Sequence, residues 1–128
     1  AGKIDAAGLV TWNVAFNGVA TITATATGTG TCTAITRTNT ANITVNPNTP
    51  ATFSYAGSPY CITDPNPSPT FSGGGVAGTF SSTAGLVFVS TATGQIDLAA
   101  STAGTYTVTN TIAAAGGCAV VTATSNIT

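Results

Sequence analysis

The side chains that could carry out chemistry are few and widely spaced along this chain. Its 128 residues include no histidine, and the three carboxylates are Asp5, Asp64 and Asp97. A serine or cysteine nucleophile usually needs a histidine as its base, and acid–base hydrolysis needs two carboxylates close together. Nothing in the spacing brings such a pair together. We therefore predict that the protein is not an enzyme and that it has no catalytic residues.

The segment DPNPSP, residues 64–69, is the best candidate for a cation site. It offers one carboxylate and one amide, whereas calcium takes several oxygen ligands from a single loop. A turn is therefore the better interpretation of this segment. We predict no metal site and no other cofactor.

Charge is scarce, which limits the kinds of partner. Only 4% of the residues are charged, the net charge is −1, and Lys3 and Arg37 are the only cations. Binding of nucleic acid depends on clustered basic residues that displace counterions, and a helix on a membrane surface needs a basic face. The apolar runs are only a few residues long, whereas ~20 residues are needed to span a bilayer. We predict neither a nucleic-acid partner nor membrane insertion.

Threonine, instead of charged residues, is the main polar residue type and makes up about a fifth of the chain. Threonine, valine, isoleucine and aromatic residues favour β-strands. In TITATAT, residues 21–27, apolar side chains alternate with threonines, and TYTVTNTI, residues 105–112, repeats the scheme with Tyr106 and Val108 on the inner face. The pattern predicts strands with one apolar face towards a core and one hydroxyl-bearing face towards solvent.

Several further short strands follow from the same alternation, and no helical pattern accompanies them. They are predicted at residues 10–13, 35–45, 52–55, 85–90, 95–98 and 120–128. FSGGGVAGTF, residues 71–80, is too rich in glycine for a regular strand and is predicted to be a loop or a bulged edge. Trp12 is predicted to face the core together with Val10 and Val14. The fold class is therefore all-β, a sandwich.

The chain contains an internal repeat, which becomes visible when Cys32 is superposed on Cys118. GVATITATATGTGTC then aligns with GTYTVTNTIAAAGGC, and the period is 86 residues (118 − 32). Residues 1–47 match only the later part of a repeat, and residues 48–128 supply a nearly complete one. The linker is NPNTP, residues 46–50, whose two prolines end a strand. We expect the sequence to belong to a longer array of repeats.

The three cysteines are interpreted through this repeat. Cys61 and Cys118 lie near loop ends of the same unit, and in an exported β-domain we expect them to form a disulfide. Cys32 occupies the position of Cys118 in the earlier unit, so its partner would lie 86 residues before Cys61, ahead of Ala1. The alternatives for Cys32 are a buried thiol and a bridge to a neighbouring molecule.

Several segments resemble a known kind of repeat. YC at 60–61, G-x-I at 94–96, GTYTVTNTI at 104–112 and GGC at 116–118 are similar to tandem immunoglobulin-like repeats of very long Bacteroidetes surface proteins. These are adhesin-like chains, some associated with gliding motility and exported by the type IX system. The stretch at 8–28 resembles the second half of a sister repeat type. The resemblance implies an extracellular, cell-surface location, a stalk role, and no catalytic residues to transfer.

Three functions remain open at this stage. The first is a structural spacer: immunoglobulin-like sandwiches in series that form an extracellular stalk, fibre or filament, with neighbouring repeats or identical subunits as partners. The second is an adhesin module that binds glycans or surfaces through exposed aromatic residues such as Tyr55 and Tyr60. The third is a separate, pilus-like subunit that polymerises by strand complementation.

Overall fold

The computed structural model describes residues 2–13, 15–32 and 35–128, and these residues form an all-β protein. The chain divides into two compact units, Ala1–Pro47 and Asn48–Thr128, called unit 1 and unit 2 below. The predicted fold class, all-β, is confirmed. A short 3₁₀ turn, Gly30–Cys32, is the one helical element that the described residues contain.

The described residues of unit 1, 2–13, 15–32 and 35–47, form two antiparallel strand pairs. β1 (Lys3–Ile4) pairs with β2 (Val10–Thr11) across a turn that Asp5 closes, because its Oδ1 accepts hydrogen bonds from the amides of Ala7 and Leu9. β3 (Gly18–Thr27) and β4 (Thr36–Val45) form a second pair with ten residues on each strand. The threonine-rich alternation at 21–27 is thus part of a long β-hairpin.

Unit 2 contains seven strands in small antiparallel sheets. They are β5 (Phe53–Ser54), β6 (Thr70–Phe71), β7 (Thr79–Ser82), β8 (Val87–Ser90), β9 (Gln95–Asp97), β10 (Tyr106–Ile112) and β11 (Val121–Ile127). One sheet has the order β11-β10-β7, and the other strands form the pairs β5–β6 and β8–β9. This arrangement is consistent with a β-sandwich.

The core of unit 2 is built from the alternating positions of these strands. Along β10, Tyr106, Val108 and Asn110 are buried and the threonines between them face outward, as a period of two requires. The buried cluster around β10 consists of Phe53, Tyr55, Phe80, Ile96, Leu98, Tyr106, Val108 and Ile127. The inward positions predicted for Tyr106 and Val108 are confirmed.

The glycine-rich segment at 71–80 is only partly a loop. Its centre turns at Gly73 and Gly74, as predicted, but β6 ends at Phe71 and β7 begins at Thr79. Phe80 is 1% exposed and packs edge-on against Phe53 with the ring centroids 5.2 Å apart. The sequence pattern missed this central core residue because glycines on its N-terminal side conceal the short strand.

Asn110 is the buried polar residue of unit 2, and its side chain is fully hydrogen-bonded. Its Oδ1 accepts from the amide of Gly78 over 2.8 Å, and its Nδ2 donates to the carbonyls of Ala51 and Val76 over 2.9 and 2.8 Å. A buried amide is tolerated when its hydrogen bonds are made. Asn110 therefore ties β10 to the segments that precede β5 and β7.

Candidate functional site

The three carboxylates, the first candidates for chemistry, are all engaged in local turns. Asp5 closes the β1–β2 turn, Asp64 accepts a hydrogen bond from the amide of Cys61 over 2.7 Å, and Asp97 accepts one from the amide of Ala100 over 3.1 Å. DPNPSP thus begins with a turn-forming aspartate. Among the residues that the structure describes, no group of three or more histidine, cysteine or acidic side chains could hold a metal ion.

The two tyrosines predicted as surface-binding aromatics have different environments. Tyr55 is 8% exposed, and its hydroxyl donates to the carbonyl of Gly94 over 2.5 Å, so the prediction of a surface role for it is wrong. Burial raises the pKa of Tyr55, and the neighbouring Tyr60 adds to that rise. Tyr60 is half-buried, its hydroxyl donates to the carbonyl of Ala56, and burial raises its pKa as well. Only Tyr60 is placed where a ligand could reach its ring.

Tyr60 borders a cavity of about 190 Å³ at one end of unit 2. The lining is mainly apolar and includes Leu86, Leu98, Tyr106 and Ile127. The hydroxyl of Tyr106 lies in this region and donates to the carbonyl of Thr102 over 2.5 Å. The cavity could accommodate an apolar group or one ring, with the backbone around residues 101–104 at its rim.

Cys61 and Cys118 lie at opposite ends of unit 2, and the structure forms no disulfide between them. The amide of Tyr60, next to Cys61, donates to the carbonyl of Thr128 just beyond the end of β11, whereas Cys118 lies in the turn before β11 begins. The length of β11 is about 20 Å, and a disulfide requires Cα atoms within about 7 Å. The predicted bridge is therefore wrong for a single copy. Cys61 is exposed and Cys118 is half-buried; the side chain of Cys32 lies outside the described part of the structure.

The β3–β4 hairpin of unit 1 presents a regular row of hydroxyl groups. Side chains on directly paired residues share one face of an antiparallel sheet. The pairing places eight threonines on one face, which we call the hydroxyl face, and all are exposed: Thr21, Thr23, Thr25, Thr27, Thr36, Thr38, Thr40 and Thr44. The predicted alternation of TITATAT is confirmed, and β4 extends the hydroxyl face in register.

The opposite face of the hairpin is apolar over much of its length and is only partly covered. It carries Ala20, Ile22 and Ala24 from β3 and Ile43 from β4. A cavity of about 190 Å³ lies between Ala20 and Ile22 and the β1–β2 pair, with Trp12 on its wall. Trp12 is half-buried and stacks on Phe16 with ring centroids 5.5 Å apart, whereas Val14 lies outside the described residues.

The hairpins of the two units are equivalent in register and in a side-chain bond. Thr21 pairs with Asn42 and donates a hydrogen bond to its Oδ1 over 2.8 Å. Thr107, 86 residues after Thr21 (107 − 21), pairs with Asn126, 84 residues after Asn42 (126 − 42), and donates to its Oδ1 over 3.0 Å; the second hairpin is therefore two residues shorter.

β1 and β2 lie 86 residues before parts of β8 and β9 and pair antiparallel like them, but the pairing is shifted by two residues: Ile4 pairs with Val10, whereas Phe88 pairs with Ile96. The sequence repeat is therefore also a repeat of four strands in the same order, with the side-chain bond of the second pair conserved between the units.

Burial distinguishes the two copies. Ile127 is 2% exposed, whereas Ile43, its equivalent in unit 1, is 39% exposed. Val108 and Asn110 are fully buried, whereas their equivalents Ile22 and Ala24 are half-buried and exposed. In unit 2, β5, β6 and β7 supply the side chains that cover these positions, and no counterpart of those three strands occurs among the described residues of unit 1.

The edge of β3 is correspondingly open. On β10, the edge opposite β11 pairs with β7, with Asn110 facing Phe80 and Val108 facing Ser82. On β3, pairing is seen only with β4 within the described ranges 2–13, 15–32 and 35–128. We call the backbone of residues 22–25, which corresponds to the part of β10 that pairs with β7, the acceptor edge.

Comparisons of the chain with models of protein families, with curated proteins and with solved structures gave no match. In the part of the chain that the structure covers, no helix has the length and apolar character needed to cross a membrane.

Proposed function

We propose that the chain is a non-enzymatic structural module of an extracellular, cell-surface stalk, fibre or filament, built from immunoglobulin-like repeats in tandem. The observation that carries the proposal is the recurrence of the four-strand unit, with its threonine–asparagine bond at the same register. Repeated units of this size extend a protein in one direction and place the same surfaces at regular intervals. The resemblance to Bacteroidetes surface repeats supports the same location and role.

The immunoglobulin-like assignment is supported by the strand order of unit 2. Its seven strands can be assigned to A–G, so that the sheet β7-β10-β11 corresponds to C-F-G and the pairs β5–β6 and β8–β9 correspond to A–B and D–E. Tyr106 lies at the start of the strand assigned to F, and its hydroxyl bonds back to the carbonyl of Thr102. Such a tyrosine corner is a feature of immunoglobulin-like sandwiches.

The polar surface is better suited to a structural spacer than to an enzyme. The carboxylates of Asp5, Asp64 and Asp97 accept hydrogen bonds from backbone amides of their own turns, which gives each a structural role. The exposed faces carry uncharged hydroxyl groups, whose interactions with water do not change with pH or salt as those of ion pairs do. The hydration of such a surface therefore changes little when the pH or the salt concentration outside the cell changes.

The experiment that tests this proposal is labelling of intact cells with an antibody against the chain, followed by electron microscopy. We expect label along fibres or stalks outside the cell, at repeated intervals. Denaturing electrophoresis of the purified surface material then distinguishes two forms of assembly. A band near 12 kDa indicates separate subunits, and a very large band indicates one continuous chain. Label confined to the cell interior contradicts the proposal.

The second candidate is a glycan-binding adhesin module, and the observation that favours it is the cavity beside Tyr60. Aromatic rings that are partly exposed at an open cavity can stack on sugar rings. A glycan array probed with the full chain tests this function. Specific binding that is lost in Tyr60→Ala and retained in Tyr55→Phe favours the adhesin, and an array without specific binding favours the spacer.

A further inference from the structure

We propose that Cys61 of one copy of this chain forms a disulfide with Cys32 of a second copy, which joins the copies head to tail. One end of unit 2 then contacts the β3–β4 turn in unit 1 of the next copy. This inference rests on the proposed function, because it states how repeat units join into a fibre.

Cys61 lies at the end of unit 2 where β11 ends, which we call the exit end. The amide of Tyr60, the neighbour of Cys61, donates to the carbonyl of Thr128 over 2.8 Å, and the amide of Thr128 donates to the hydroxyl of Ser58 over 3.0 Å. Cys61 itself is exposed. Its thiol is therefore accessible on the surface of the exit end.

The chain enters unit 2 at the opposite end, which we call the entry end. Asn110, two residues before β10 ends, donates to the carbonyl of Ala51, close to the start of the unit. Cys118 lies beyond β10, in the turn at this end. The unit thus has one cysteine where the chain enters and another at the exit end. End-to-end stacking in one direction brings these two kinds of cysteine together.

Cys32 has the place in unit 1 that Cys118 has in unit 2, one period of 86 residues earlier (118 − 32). The backbone of Gly30–Cys32 forms the 3₁₀ turn after β3, and the amide of Gly28 donates to the carbonyl of Ile35 over 2.8 Å just before β4 begins. The β3–β4 turn therefore places a cysteine at one end of unit 1. This is the end that meets the exit end of unit 2 when copies stack head to tail.

Apolar groups next to the two cysteines provide a contact that holds them close. Cys61 lines the cavity of about 190 Å³ together with Tyr60 and Ile62, and Ile62 is 64% exposed. In the β3–β4 turn, Ile35 is 50% exposed and lies three residues after Cys32. Insertion of Ile35 into the cavity buries apolar surface on both copies. It also brings the β3–β4 turn to the rim of the cavity, where Cys61 lies.

The charges at the two ends are complementary and favour unit 1 of a second copy as the partner. At the exit end, Asp64 accepts a hydrogen bond from the amide of Cys61. Arg37 is the second residue of β4, next to the β3–β4 turn, and is exposed. Unit 2 contains no lysine or arginine, so its own Cys118 turn offers no such attraction. Opposite charges on the two surfaces select this pairing.

The bridge forms by oxidation of two thiols, and a small-molecule disulfide such as oxidised glutathione is the oxidant. The thiolate of Cys61 attacks the oxidant and forms a mixed disulfide, and one glutathione thiol leaves. The thiolate of Cys32 then attacks the sulfur of Cys61 in the mixed disulfide, and the second glutathione thiol leaves. One sulfur–sulfur bond forms in the protein, the one in the oxidant breaks, and the two thiol protons pass to the released glutathione.

The test is oxidation of the concentrated full chain with oxidised glutathione, followed by denaturing electrophoresis without reductant. A head-to-tail contact uses two different surfaces and does not stop at a dimer. We therefore expect a ladder of bands at multiples of 12.4 kDa, which reductant collapses to one band. Peptide mapping of the dimer band should yield a peptide in which Cys61 is linked to Cys32.

Three single variants separate this bridge from random oxidation. Cys61→Ser and Cys32→Ser each remove one partner, and we expect at least a tenfold loss of species larger than the dimer. Cys118→Ser is the matched control, because it removes the equivalent cysteine of unit 2, and we expect a ladder within twofold of that of the parent chain. Circular dichroism checks that all three variants keep the parent fold.

The proposal is overturned if the parent chain forms no ladder, or if Cys118→Ser loses the ladder as Cys61→Ser does. It is also overturned if mapping links Cys61 to Cys61 or to Cys118, because the contact is then symmetric or uses unit 2 alone. None of these results affects the antibody labelling of fibres, so the proposed function can stand when this inference fails.

Discussion

The hydroxyl of Thr21 donates a hydrogen bond to Oδ1 of Asn42 across the β3–β4 pair, over 2.8 Å. Thr107 and Asn126 form the same bond in unit 2 over 3.0 Å. A cross-strand pair of this kind contributes only ~0.2–1 kcal/mol to stability. The recurrence at one register is therefore more informative than the energy: it identifies two copies of one hairpin, one enclosed in a sandwich and the other largely exposed.

The buried amide of Asn110 should contribute strongly to the stability of unit 2. Asn110→Ala leaves an amide and two carbonyls without their partner, and each unsatisfied buried group costs about 1–3 kcal/mol. We expect a loss of about 3 kcal/mol in the free energy of unfolding, measured by urea denaturation. The matched control is Asn126→Ala, an exposed asparagine in the same hairpin, for which we expect a loss of at most about 1 kcal/mol. Equal losses would contradict the role assigned to Asn110.

Gly94 should tolerate no side chain, for two reasons that can be separated. Its φ of 74° disfavours other residues, and a Cβ would meet the ring of Phe80. Gly73 has a similar φ of 58° with open space around it, so it isolates the backbone effect. We expect Gly73→Ala to cost about 1 kcal/mol and Gly94→Ala to cost about 1–3 kcal/mol more, as overpacking does. Thermal unfolding of both variants checks this, and equal midpoints would show that Phe80 moves aside without cost.

Stability should fall in alkaline solution because of Tyr55. Burial raises the pKa of this phenol, so the folded protein keeps its proton at a pH where the unfolded chain, with a tyrosine pKa near 10, has lost it. The stabilisation from Tyr55 is complete below about pH 10 and decreases as the pH rises further. Urea denaturation between about pH 8 and about pH 11 should show this decrease. The decrease should be smaller in Tyr55→Phe, and an unchanged slope would contradict the assignment to Tyr55.

The positions of the cysteines predict the pattern of cross-links. Because Cys61 and Cys118 lie at opposite ends of unit 2, peptide mapping of the monomeric, non-reduced chain should contain no peptide in which these two residues are linked. A linked peptide from monomeric protein would require a different strand order in unit 2. That result would also remove the basis for comparing β10 with β3.

The alternation of β10 and β3 made the strands and their faces predictable, because a period of two residues directly determines which side chains share a face. The buried position of Phe80 was not predicted, because β7 has only four residues and follows a glycine-rich segment. So few alternating positions do not distinguish a strand from a loop. Asn110 was missed because a polar residue at an inward position reveals its hydrogen bonds only when the partners, more than 30 residues away in sequence, are located.

The prediction of a disulfide between Cys61 and Cys118 was wrong for a different reason. The sequence correctly indicated that Cys61 and Cys118 lie near loops, but a sandwich has loops at both ends. Which end each loop occupies depends on strand direction and pairing, and sequence spacing contains no information on either. The exposed state of β3 was likewise visible only by comparing the burial of Ile43 and Ile127.

The central claim is that β3 is an open copy of β10, and residue-resolved hydrogen exchange of the full chain tests it most directly. We predict slow exchange for the amides of residues 108–111, which pair on both sides of β10, and fast exchange for those amides of residues 22–25 that point away from β4. Equal protection of the two segments in the isolated chain would contradict the claim, because it would mean that the β3 edge is already covered.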